Sequence, residues 1–188
     1  MFKKRNWRVP KPREDADEEE TPREINPERA RRKTFDRAVN LLAYKPRSVV
    51  ELRTRLMEKE WTNSEIVEEV LLKLEGYGYV NDGQFAHDYA ASQLRGKPIG
   101  KRVLQQKLTM KKLDKETVAA AIEQVFEETP EAEVIERAIA KRLRLKGKPE
   151  TREDAKKFYD YLLRQGFSYD LVSSKMRELN SRDFDEET

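Results

Sequence analysis

The stretch Leu52–Leu74, LRTRLMEKEWTNSEIVEEVLLKL, decides the fold. Leu52 and Leu56 stand four residues apart and therefore share one face of a helix. Trp61, five residues further on, falls where a turn is expected and reads as one apolar residue plugging a corner. Ile66, Val70 and Leu74 then line a face of a second helix, with Asn63 or Ser64 placed to cap it. The offsets four, five, five, four and four recur without a gap. Leu104, Leu108, Leu113, Val118, Ile122 and Phe126 form a second copy, and Phe158, Leu162, Phe167, Val172 and Met176 a third, whose series ends on Asn180. Asp114 caps the last helix of the second copy, and Ser168, with Asp170 in the first turn, that of the third. Ser48 and Thr151 cap the middle helices of the outer copies, and Gly100 begins that of the second.

Another helix is expected before each pair. Thr34–Lys45 carries Phe35, Ala38, Leu41 and Leu42 and stops before Pro46; Asp82–Arg95 carries Phe85, Ala86, Tyr89 and Ala90 and stops at Gly96. Pro130–Lys146 opens on a first-turn proline, carries Val134, Ile135, Ala138, Ile139 and Leu143, and stops at Gly147. The expectation is an all-α chain of three tandem three-helix repeats, over residues 34–80, 81–128 and 129–180. A three-helix unit this small has a marginal core alone, so neighbouring units are expected to stack into an elongated, curved array. Residues 181–188 read as an acidic C-terminal tail.

Composition agrees. Charged residues make up 40% of the 188, and there are only 7 glycines, as befits a helical chain poor in breakers. Residues 1–13 carry six cations and no acid, and residues 14–20 six acids. Residues 1–33 are therefore expected to be a charged, disordered tail; the alternative for 27–33 is a helix running into the first core helix. No apolar run approaches the roughly 20 residues that span a bilayer, and no leader opens the chain, so a cytoplasmic location is expected.

Catalysis finds no support. Without cysteine and with one histidine, thiol nucleophiles, zinc ribbons and histidine metal clusters are excluded, and no metal or cofactor is expected. Gly76-Tyr77-Gly78 is a helix end, since no strand precedes it and no third glycine follows. Gly96-Lys97 lacks the remainder of a phosphate-binding loop, and His87 reads as a surface residue.

Charge offers more. Arg95–Lys115 holds eight cations and one acid, Asp114; Arg95, Lys97, Lys101, Arg102, Lys111 and Lys112 are the candidates for contact there. Arg137, Lys141, Arg144 and Lys148 follow at spacings of four, three and four on one helical face, with Ile135, Ile139 and Leu143 on the approximately opposite face. Such cations follow phosphates or meet an acidic protein groove; the plainer reading is a solvated face. Phe35, Trp61, Phe85, Phe126 and Phe167 sit at packing positions, which leaves Tyr77, Tyr161 and Tyr169 as exposed aromatics, with Tyr44 open to either role.

Three segments resemble the RecX family. Arg47-Ser48-Val49-Val50-Glu51-Leu52, with Leu56, is similar to the signature opening its repeats. Tyr79-Val80-Asn81-Asp82, leading to Phe85-Ala86 and Tyr89, resembles its inter-repeat stretch, and Gly100 with Leu104 and Leu108 its next element. Family members often place Lys-Gly before the corner residue; here Glu60 and Lys112 take that place, and Gly166 alone keeps the glycine. The resemblance implies a non-catalytic monomer that lies in the groove of the RecA filament on single-stranded DNA, touching DNA through the filament. It would impede the filament's ATPase, strand-exchange and coprotease activities. The competing reading is a helical array that binds nucleic acid without sequence preference and without RecA. Retention by DNA alone, as against retention only by the filament, separates the two.

Overall fold

The computed structural model describes residues 26–185, and among these the chain forms nine α-helices and no strand. They are α1 (Pro27–Tyr44), α2 (Val49–Met57), α3 (Ser64–Gly76), α4 (Asp82–Gly96), α5 (Lys101–Thr109), α6 (Lys115–Glu128), α7 (Glu131–Lys146), α8 (Arg152–Arg164) and α9 (Tyr169–Asp185). The all-α repeat architecture expected from the spacing is present. Residues 1–25 and 186–188, most of the expected N-terminal tail and the end of the acidic C-terminal one, lie outside the described residues.

At the N-terminal end the helical alternative for residues 27–33 holds, and at the C-terminal end the last helix runs further than expected. α1 starts at Pro27, seven residues before Thr34. The Asn26 side chain accepts from the Arg29 N–H, Pro27 occupies the first turn where its missing donor costs nothing, and Ala30 is buried. Arg31 pairs with Glu69 of α3 at 2.7 Å and fastens this extension sideways. α9 likewise runs on to Asp185.

The first corner departs from the repeat in a way the apolar spacing conceals. Asn63, Asp114 and Ser168 cap α3, α6 and α9 alike, each accepting from the N–H three residues on, of Ile66, Thr117 and Leu171. Asp114 and Ser168 lie six residues beyond Leu108 and Leu162, but Asn63 lies seven beyond Leu56. The first turn thus holds one extra residue, accommodated where the Thr62 N–H donates to the Lys59 carbonyl at 3.3 Å. Counted from the caps, the residue that plugs the corner is Thr62 in the first unit, equivalent to Leu113 and Phe167; the three are 7%, 8% and 2% exposed.

Trp61 is therefore not the buried corner residue. It is half-buried and belongs to neither apolar core. Thr62 sits inside instead, its hydroxyl accepting from that of Thr34 at 3.0 Å, which satisfies both buried groups. The backbone agrees: Lys112 (φ 59°) and Gly166 (φ 95°) turn the later corners through left-handed conformations, whereas neither Trp61, their counterpart by the caps, nor Glu60 has a positive φ.

Two apolar cores result. The first collects Ala38, Leu52, Leu56, Val67, Val70, Leu71, Leu74 and Val80 from α1–α3 and the following turn. The second runs unbroken from Ala86 to Met176, so α4–α9 share one interior.

The units are joined at equivalent places. Ser48, which caps α2 and is fully buried, donates its hydroxyl to the Lys111 carbonyl in the α5–α6 turn at 2.8 Å. Gly100, which precedes α5, donates its N–H to the Gln165 carbonyl in the α8–α9 turn at 2.9 Å, and the Arg102 N–H reaches the Gly166 carbonyl at 3.3 Å. The middle helices of the first two units, α2 and α5, thus rest their N-termini on the corner of the following unit.

Candidate functional site

The structure sorts the cations between Arg95 and Lys115 into two kinds. Arg102 donates from its guanidinium to the Leu163 carbonyl at 2.7 Å, satisfying a C-terminal carbonyl of α8. Lys101 donates its backbone N–H to the Glu131 carboxylate at 3.0 Å and holds its ammonium 5.4 Å from the Phe126 ring centroid. Lys111 is half-buried, 5.3 Å from the Tyr89 centroid and 4.0 Å from the Glu51 carboxylate. These three serve packing, in both joints and between α5 and α7. Arg95, Lys97 and Lys112 are exposed, as Lys101 and Arg102 are, but have no such contacts and remain available to a partner.

On α7 the apolar face is Val134, Ile135, Ala138 and Ile139, all buried, while Arg137, Lys141 and Arg144 are exposed. No ion pair among the described residues engages these three. Lys148 does not extend the stripe as a helical fourth member. Gly147 takes φ 76° and ends the helix, its N–H returning to the Leu143 carbonyl at 2.8 Å, so Lys148 leaves the helical phase. It lines a hollow of about 470 Å³ with Arg142, Lys146, Lys157, Glu150 and Asp154.

Other groups at α7 are structural. Glu136 accepts from Lys175 of α9 at 2.8 Å, and this contact together with Glu178 holds the Lys175 ammonium above its ordinary pKa. Arg142 stacks over Tyr161, 4.9 Å from its ring centroid, so that tyrosine is not a free aromatic. Tyr44, Tyr77 and Tyr169 are exposed. His87 lies against Glu128 at 3.0 Å, tying α4 to the end of α6. Among the described residues no cluster of histidines and carboxylates has the arrangement of a metal site, and no helix is long and apolar enough to cross a membrane.

Sequence reasoning misses the cations that open the first helix. Arg29, Arg31, Arg32 and Lys33 fall within the expected tail, yet they belong with Arg37 to α1. The signal is Asn26-Pro27, a cap followed by a first-turn proline.

Three family models of RecX match in order along the chain. The first three-helix domain covers residues 35–74, the second 81–122 and the third 130–176, together well over half the chain. The chain belongs to the RecX regulatory protein family. A Regulatory protein RecX of Bacillus subtilis is 31% identical over 84% of this chain, and that of Bacillus velezensis 31% over 82%. The match spans 58% of the length of either relative. A crystal structure of RecX from Lactobacillus salivarius superposes with a TM-score of 0.73 at 22% identity, covering 81% of this chain and 98% of that one. A second RecX crystal structure gives 0.66 at 25% identity, covering 78% of this chain and 71% of the other. The match to the first family model begins at residue 35, past the α1 extension.

Proposed function

We propose that the protein regulates RecA recombinase by docking on the RecA–single-stranded DNA filament, where it damps ATPase, strand-exchange and coprotease activities. It acts as a monomer, carries out no chemistry of its own and reaches DNA through the filament. The ordered succession of three RecX domains carries this reading, because a row of similar units suits a partner that is itself a periodic helix. The exposed, unpaired Arg137, Lys141 and Arg144 supply the contact face, with Arg95, Lys97 and Lys112 beside it in role; Lys101, Arg102 and Lys111 hold the units in place. Near-balanced overall charge, +3 at neutral pH, supports a protein-borne filament over bare DNA, which modest net charge attracts weakly.

The test replaces Arg137, Lys141 and Arg144 together by Glu and follows RecA ATPase on single-stranded DNA. All three lie away from the buried face of α7, so the fold is expected to survive at a cost below about 0.5 kcal/mol per site, checked by circular dichroism. Inhibition by the triple variant is expected to fall by an order of magnitude or more. A folded variant that inhibits at wild-type concentration removes this face from the interface. Equal retention of wild type by single-stranded DNA with and without RecA, at physiological salt, would favour the nucleic-acid reading instead.

A further inference from the structure

The displaced indole of Trp61 lines a hollow of about 450 Å³ between α1 and the first corner, shared with Lys33, Asp36, Arg37, Asn40 and Leu41. That volume falls within the range of small-ligand pockets. We propose that this hollow holds one nucleotide of a single-stranded nucleic acid, its base against Trp61 and its phosphate on Lys33 and Arg37. The site stands on the first unit and uses none of the α7 cations; it would add a direct nucleic-acid contact to the one made through the filament, and so goes beyond the filament reading.

Three observations support the occupant. The first is why the indole is there at all. The extra residue of the first turn puts Thr62 into the core position and leaves Trp61 half-buried, packed in neither core. A planar ring at a water-facing hollow is a stacking platform, and stacking accepts any base because every base has a π-face. The second is the charge beside it. The Lys33 ammonium stands 5.8 Å from the Trp61 ring centroid on a flexible, exposed stem, free to swing toward a phosphate once a base takes the ring. The third is Arg37, which lines the same hollow and has no ion-pair partner among the described residues. Its guanidinium puts a second cation beside Lys33 where a phosphate would sit.

Asp36 is the contrary group, since a carboxylate repels phosphate. It suits the base edge instead, accepting from an exocyclic amino group, with Asn40 able to donate or accept. An acidic peptide would find the same cations but would have no use for the indole face or for Asp36. This decides for nucleic acid.

Trp61 itself reports the outcome. The chain has 2 tryptophans, and Trp7→Phe leaves Trp61 as the sole indole emitter. Titration of that variant with a short oligo(dC) is expected to quench its emission saturably. Lys33→Glu and Arg37→Glu are each expected to weaken binding tenfold or more, and to reduce the log–log salt slope by about 0.7 for each phosphate no longer neutralised. Trp61→Leu, read by anisotropy of a labelled oligonucleotide, is expected to weaken it roughly fivefold to a hundredfold. Circular dichroism melting checks each fold, and Lys33→Glu is an exposed change that keeps the test open should Trp61→Leu misfold. Binding without quenching, or binding indifferent to Lys33 and Arg37, overturns the proposal. Equal quenching by polyglutamate also overturns it, in favour of an acidic protein. RecA ATPase inhibition is measured alongside: inhibition with no quenching sinks this site alone, and quenching with no inhibition sinks the filament reading alone.

Discussion

The joint between the first and second units and the joint between the second and third occupy the same place in the repeat but are made of different material. At the first, a buried Ser48 hydroxyl bridges to the Lys111 carbonyl, and the Val49 N–H donates to the Asp82 carboxylate at 2.8 Å. Glu51 stands nearby with one carboxylate oxygen buried and lacking a hydrogen bond. At the second, main chain meets main chain: a Cβ on Gly100 would lie 2.4 Å from the Gly166 carbonyl carbon and oxygen, and one on Gly166 would lie 2.6 Å from the Val103 nitrogen. The first joint separates two apolar cores, while the second runs through the middle of one. A polar bridge can be replaced by water at modest cost, whereas two backbones in contact leave no room for any other geometry. The second and third units therefore behave as one body, and the first is coupled to them more weakly.

Breaking the rigid joint should have the largest effect. Gly100→Ala forces apart two backbone segments that cannot yield as a side chain would. Urea unfolding is expected to show a destabilisation at or above the top of the usual overpacking range of about 1–3 kcal/mol. A value under about 1 kcal/mol would show that the joint flexes after all. Ser48→Ala removes the α2 cap, worth about 1 kcal/mol, and leaves the Lys111 carbonyl unpaired, so a total near about 2 kcal/mol is expected. Its signature is location. Amide exchange should quicken in α1–α3 and leave α7–α9 unchanged, and uniform acceleration would mean that all three units unfold together.

Lys112→Gly tests the corners in the stabilising direction. Lysine at φ 59° carries a strain that Gly166 escapes at the matching position, so the glycine variant is expected to gain up to about 1 kcal/mol against its greater unfolded-state freedom. A less stable variant would mean that the Lys112 side chain contributes something beyond its backbone.

The smallest effect concerns Asp82 at the first joint. Burial raises its pKa above the ordinary carboxylate value, and Asp114 adds to this, while the Val49 N–H and Arg53 oppose. For an acid raised in the fold, the ionised form costs stability above the folded pKa, and that cost disappears as pH falls through it. Asp82→Asn keeps an oxygen for the Val49 N–H. It is expected to be slightly more stable than wild type near neutral pH, with the advantage shrinking as the pH drops into the carboxylate range. An advantage that grows on acidification would reverse the sign of the argument.

Much of this is legible in the residues. Four-residue apolar steps and caps specify nine helices because burial and capping act over one turn, within reach of sequence patterns. The apolar spacing misplaces the first corner for a specific reason: Ile66-Val67 and Val70-Leu71 are apolar doublets, so either register finds hydrophobic residues and the pattern cannot reveal the extra residue. The caps do reveal it, since Asn63 and Asp114 stand at different distances from the preceding leucines. Ser48, Arg102 and Lys111 look like ordinary polar residues in sequence because the structural partners of Ser48 and Arg102 lie 63 and 61 positions away. For the contact surface, engagement by neighbours separates candidates that spacing alone treats alike: Lys101 and Arg102 are as exposed as Arg95 but already bind Glu131 and the Leu163 carbonyl. Lys148 keeps the helical spacing of its predecessors beyond a helix that Gly147 has already ended, because glycine in a basic run reads equally as an interruption or a stop.

The extra residue before Asn63 has one further consequence, for changes of length. A residue inserted or deleted in the turn before a helix rotates its faces by about 100°. In α9 such a slip would carry Leu171 and Lys175 toward positions held by Val172 and Met176, placing a charge in the interior. In α3 both members of each doublet are buried, as is Leu74 between Lys73 and Glu75, so a slip of the helix brings a charge inward there too. A change of length is therefore harmless only where the turn takes it up and the helix keeps its phase, as the turn before Asn63 does: it holds one residue more than its counterparts while Ile66, Val67 and Leu74 stay buried.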